Sequence, residues 1–169
     1  MHRSALILTL LGLVALTATL DASASDPTAA FDRIAGHYEI IRQALLHDGV
    51  DGVPTAAREI HDETEALEGE LREAAKGAVE GKHGELRDLL PEIRSASREL
   101  QAPGGLEQAR AAFGSLSKAM VRYRRLIADP EPVVVFCSMA QEVWLQPKGE
   151  IGNPYYGQSM ARCGEIVSQ

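Results

Sequence analysis

Cysteine is nearly absent from this chain: among 169 residues there are two, Cys137 and Cys163. Two thiols cannot supply the doubled Cys-x-x-Cys ligand set of a structural zinc site. The histidines beyond the N-terminal stretch, His37, His47, His61 and His83, do not pair with one another at i,i+3 or i,i+4. Neither a His-Glu-x-x-His nor a Glu-x-x-His di-metal pattern exists. A P-loop, a Gly-x-Ser-x-Gly elbow and a dinucleotide fingerprint are missing as well, and Ser115 and Ser117 have no plausible base near them in sequence. An enzyme is not expected. Basic residues are scattered rather than massed, and the formal net charge is −7, which argues against nucleic acid as a partner. Internal repeats and low-complexity tracts are also lacking.

The apolar run Ala5 to Leu20 is shorter than the ~20 residues that a spanning helix needs. With Arg3 before it and Ala22-Ser23-Ala24 after it, residues 1–24 read as a secretory signal peptide. No cysteine follows the cleavage site to accept a lipid. The expectation is an exported, periplasmic protein whose residues 25–169 form a single domain without a membrane span.

Hydrophobic periodicity predicts four helices over residues 26–128. Asp26-Pro27 is an N-cap followed by proline at the first helical position, and Phe31, Ile34, Tyr38, Ile41 and Leu45 follow at three- and four-residue steps to a stop near Gly49. Pro54 opens a second helix with the stripe Ala57, Ile60, Thr64, Leu67, Leu71, Ala75 and Ala78, its other face crowded with Glu and Arg. Gly81-Lys82-His83-Gly84 interrupts the pattern before a third helix on Leu86, Leu90, Ile93 and Leu100. Within it, Pro91 predicts either a kink or a regular start near Leu90. Beyond the Ala102–Gly105 loop, Leu106, Ala109, Phe113, Leu116, Met120, Tyr123 and Ile127 make a fourth. Four helices with short connections imply an antiparallel bundle, so the fold class is mainly α.

Asp129-Pro130-Glu131-Pro132 closes the helical part, and residues 129–169 read as a small C-terminal lobe. Val133-Val134-Val135-Phe136 predicts a strand, Asn153-Pro154 starts a short helical segment reaching Cys163, Gly164 stops it, and Glu165-Ile166-Val167 returns as a second strand. A β-hairpin-like piece packed on one end of the bundle is the expected arrangement.

This lobe holds four sulfurs in two close pairs, Cys137/Met139 and Met160/Cys163. Residues two apart on a strand share a face, and residues three apart on a helical turn are neighbours, so each pair is compatible with chelation. If residues 133–139 pair with 165–167, the four side chains converge. Thiolate and thioether together select Cu(I) or Ag(I) over hard cations. The alternative is a Cys137–Cys163 disulfide, the usual state of two cysteines in an exported chain, with both methionines as core filler. On spacing alone both readings stand, and redox state can interconvert them. Trp144, Tyr155 and Tyr156 either roof such a site or pack hairpin against bundle; Arg162 or Lys148 can offset its charge, and His37 is a remote extra ligand.

The segment Phe136 to Ile166 resembles a domain family of uncharacterised function from exported bacterial proteins. The same domain is similar to one appended to periplasmic adaptor (membrane-fusion) subunits of CusB-type copper and silver efflux systems. The resemblance rests on Cys137, Met139, Trp144, Leu145, Asn153, Pro154, Tyr155, Tyr156, Gly157, Met160, Cys163 and Gly164, with Ser138 where the family has proline. Upstream it is carried by Arg110, Phe113, Leu116 and Ser117. It implies Cys137, Met139, Met160 and Cys163 as ligands for Cu(I) or Ag(I), in sequestration, transfer or efflux. The rival implication is a disulfide-held interaction module docking on an envelope partner such as an efflux adaptor.

Overall fold

A computed structural model describes residues 26–74 and 81–168. Helix α1 (Pro27–Leu46) begins where Asp26 Oδ1 accepts the Thr28 amide at 2.9 Å. Helices α2 (Val53–Ala74), α3 (Lys82–Leu100) and α4 (Leu106–Ile127) follow. Consecutive helices pack on one another and α1 also packs on α4, which closes an antiparallel four-helix bundle. The periodic stripes are the core: Phe31, Ile34, Ile41, Leu45, Ile60, Ile93, Leu116 and Met120 are fully buried. The signal-peptide reading and the Ala75 and Ala78 positions of helix two lie outside the described residues. No described helix is long and apolar enough to cross a membrane.

Of the two alternatives drawn for helix α3, the late start near Leu90 is excluded, because the helix runs from Lys82 to Leu100 with Pro91 inside it. Pro91 stands exposed, on the side where water can satisfy the carbonyl that its ring deprives of a donor.

The C-terminal lobe holds three strands rather than two: β1 (Val133–Cys137), β2 (Glu142–Gln146) and β3 (Glu165–Ser168), antiparallel in the order β2-β1-β3. Strand β2 is additional to the expected hairpin, and it is the strand that lies on α4. β1 ends at Cys137, and residues 138–141 turn the chain into β2 with Gln141 at φ 55°. The segment after Asn153-Pro154 is a turn and a single 3₁₀ turn, Gly157–Ser159, not a helix reaching Cys163.

Two arginines hold the lobe to the bundle. Arg42 of α1, 4% exposed, donates to the Gly152 carbonyl at 2.7 Å. Arg110 of α4 donates to the Pro154 carbonyl (2.9 Å), the Leu45 carbonyl (3.2 Å) and Asp48 Oδ1 (2.5 Å). Gly157 lies so close to this pair that a Cβ there would stand 2.5 Å from Arg110 Nη2 and overlap Asp48 Oδ1; its φ of +52° suits glycine besides.

The Arg110 hydrogen bond and the Gln158 amide hold the Asp48 carboxyl below its ordinary value. A depressed folded pKa stabilises above the unfolded value, about 3.9, and that contribution is lost as pH falls through the folded pKa. Acid unfolding is therefore expected to be less steep in Asp48→Asn than in the parent below about pH 4. Equal slopes by circular dichroism would dismiss the clasp as a pH-dependent element.

Candidate dithiol and soft-metal site

Cys137 is the last residue of the central strand, and Cys163 lies two residues before β3. Phe136 pairs with Glu165, so the next step of the ladder carries Cys137 level with the Gly164 end of β3. The two sulfurs come to rest 2.7 Å apart, close enough for the pair to act as one centre. Gly164 makes that approach feasible: a Cβ there would stand 2.7 Å from Trp144 Cη2 and 2.9 Å from Val135 Cγ1, at φ +151°.

The surroundings of the two sulfurs differ. Cys137 is fully buried, and the Ala140 amide points at its sulfur at 3.5 Å. Burial alone pushes its thiol up, but hydrogen bonds from Cys163, from the Ala140 and Met139 amides and from the Asn153 side chain outweigh it and bring it below the ordinary thiol range. Cys163, half-buried on irregular backbone, is pushed up, first by its hydrogen bond to Cys137 and then by desolvation and the neighbouring thiolate charge.

Asn153 ties this corner together. It is fully buried; its Oδ1 accepts the Tyr155 amide at 2.8 Å and the Tyr156 amide at 3.1 Å, and its Nδ2 donates to the Cys163 carbonyl at 2.8 Å. Its backbone amide meets the Ala161 carbonyl at 2.8 Å, so residues 153–163 close into a loop around one side chain. In the sequence Asn153 signals a helix start and part of the resembled segment; that its amide also faces the Cys137 sulfur depends on a loop closure that spacing does not show.

The expected ligands fare differently. Cys137 and Cys163 converge. Met139 does not share a strand face with Cys137, because β1 ends at Cys137 and Met139 belongs to the turn, its side chain 64% exposed. It is therefore not core filler. Its backbone stays at the site, with the amide directed at the sulfurs and the carbonyl accepting from Tyr156 Oη at 3.2 Å. Met160 and Cys163 are joined by a turn, Cys163 N to Met160 O at 3.0 Å, rather than stacked on a helix.

Trp144 is fully buried with Tyr155 edge-on to it, ring centroids 6.0 Å apart, and Tyr155 in turn lies 5.9 Å from Phe113 of α4, so Tyr155 packs the lobe on the bundle. Arg162 pairs with Glu150 at 2.9 Å. His37, half-buried on α1, belongs to no cluster of three or more His, Cys or carboxylate ligands among the described residues. His61, Asp62 and Glu65 on α2 do form such a cluster, their ligand atoms within 4.8 Å of one another. Its two carboxylates are exposed on one helical turn, an arrangement common on solvated faces, so the sulfur pair is the better-built centre. No family model, curated protein or solved structure matches this chain.

Proposed function

We propose that the protein is a periplasmic binding protein, not a catalyst, that holds Cu(I) or Ag(I) through Cys137 and Cys163, with Met139 and Met160 supplying thioether ligands. The observation that carries this reading is the adjacency of the two sulfurs, 2.7 Å apart, beside a turn whose amides point at Cys137. Amide donors stabilise a thiolate, which is the form that binds soft metal. Sulfur ligands at about 2.3 Å in a tetrahedral arrangement stand about 3.8 Å from each other. Uptake therefore requires the pair to open by roughly 1 Å, a movement that falls to Cys163, the cysteine on irregular backbone. The exposed Met139 is suited to capture, since a thioether binds without losing a proton. Sequestration or handing on of the ion to an efflux partner follows from such a site.

Anaerobic competition titration of the reduced protein with Cu(I) tests this. One ion per chain is expected, with affinity lowered by roughly a hundredfold or more in Cys137→Ser and at least roughly tenfold in Met139→Ala and Met160→Ala. Undetectable binding by fully reduced protein would refute the reading.

The same adjacency favours a second reading, a Cys137–Cys163 disulfide that holds the lobe while a bundle face docks on an envelope partner such as an efflux adaptor. Bridging residues 26 apart would stabilise a lobe of three short strands by about 3–4 kcal/mol. Zero free thiols in protein isolated from its export compartment, together with no Cu(I) uptake after reduction, would favour it.

A further inference from the structure

The asymmetry of the two sulfurs assigns each a role in redox chemistry. Thiol–disulfide exchange is a displacement at sulfur: the incoming thiolate takes the sulfur it can reach, and the departing sulfur leaves faster the better it is stabilised as a thiolate. Here those requirements fall on different atoms. Cys163 is the half-buried one, on irregular backbone between the Met160 turn and β3. Cys137 is fully buried at the end of the central strand, with the Ala140 amide 3.5 Å from its sulfur.

We infer that the Cys137–Cys163 pair is a directional redox gate, in which an external dithiol opens the disulfide by attacking Cys163 and expelling Cys137, and only the opened pair takes the soft metal. The direction of opening stands on the asymmetry alone; the gating of metal rests on the function proposed above. In the first step a thiolate of the reagent bonds to Cys163 Sγ, the Sγ–Sγ bond breaks, and its electron pair stays on Cys137 as thiolate. In the second step the other thiolate of the reagent displaces Cys163 from the mixed disulfide. The reagent leaves as its own disulfide, oxidised by two electrons, and the pair is reduced by the same two; the reagent's two protons go to water or to the freed thiolates. The reverse reaction, with a disulfide reagent accepting the electrons, removes both thiolates and releases the ion.

The direction is tested on the oxidised wild-type protein with the monothiol glutathione, quenched in acid and alkylated, with the modified cysteines located by mass spectrometry. Glutathione on Cys163 and the alkyl group on Cys137 are expected in roughly tenfold excess over the converse. Equal amounts, the converse, or a bond that excess dithiothreitol opens only in denaturant would overturn the inference. The single variants Cys137→Ser and Cys163→Ser, treated with a chromogenic aromatic disulfide, give an independent readout: the thiol at 163 should react roughly tenfold or more faster than the thiol at 137, and the opposite ranking would overturn it too. The gate is tested by equilibrium dialysis of Ag(I) against oxidised and reduced wild-type protein. Uptake by the reduced form alone supports it. Equal uptake by both forms overturns the gate and leaves soft-metal binding standing. Uptake by neither, with glutathione found on Cys163, overturns the metal function while the direction of opening survives.

Discussion

Replacing Trp144 with alanine is expected to destabilise the protein by about 3–5 kcal/mol, the usual cost of emptying a buried indole site. For a domain of this size that lowers the melting temperature by on the order of 10–20 °C. The indole is fully buried, lies edge-on to Tyr155, and donates through Nε1 to Gln146 Oε1 at 2.9 Å. Gln146 is itself buried, accepts the Gly152 amide at 3.1 Å and donates to the Glu150 carbonyl at 3.0 Å. Loss of the ring therefore leaves a void and loosens the segment leading to Asn153. It also removes the surface against which Gly164 sits, so the segment carrying Cys163 loses the stop that sets its distance from Cys137. Soft-metal affinity of the reduced protein should fall with stability, whereas Trp144→Phe, which keeps most of the bulk, should recover the larger share of both. A melting point within a few degrees of the parent would mean that the lobe is not organised around this residue.

The helical part was legible because each helix repeats its apolar residues often enough for the 3.6-residue period to declare one face. Phe31, Ile34 and Leu45 in α1, and Ala109, Phe113, Leu116 and Met120 in α4, are all buried as their spacing required. Strand β2 was not legible. Its Glu142-Val143-Trp144-Leu145-Gln146 shows no alternation, and it is a strand because it pairs with β1, Val135 against Trp144, and lies on α4. A second anchor was equally hidden: the Tyr38 hydroxyl, buried in the bundle, lies 2.6 Å from Ser117 Oγ and accepts the Leu145 amide at 3.1 Å, joining α1, α4 and β2 at one atom. No period in the sequence announces a contact between residues 107 apart.

At the sulfur site, the meeting of Cys137 and Cys163 was readable once a return strand after Gly164 was inferred, since antiparallel pairing carries the two ends together. The side of Met139 was not. Strand alternation assigned it to the face of Cys137, but the chain turns immediately after Cys137, and a turn residue follows the turn geometry instead. Ser138 belongs to the same turn.

Asn153→Ala is expected to cost about 3–5 kcal/mol, because it strands several buried partners at once and each is worth roughly 1–3 kcal/mol when left unpaired. The Tyr155 and Tyr156 amides lose their acceptor and the Cys163 carbonyl loses its donor. Asn153→Asp separates the two halves of the residue's work. Its carboxylate still accepts from the two amides, but it has nothing to donate to the Cys163 carbonyl and brings negative charge towards the Cys137 thiolate. The aspartate variant should therefore fold with less loss than alanine and yet show a higher Cys137 pKa than the parent, since a nearby like charge disfavours the ionised form. Thiolate absorbance near 240 nm, followed against pH in the reduced Cys163→Ser background, measures that shift directly. A Cys137 titration unchanged in Asn153→Asp would detach the asparagine from the sulfur chemistry, leaving it only the closure of the 153–163 loop.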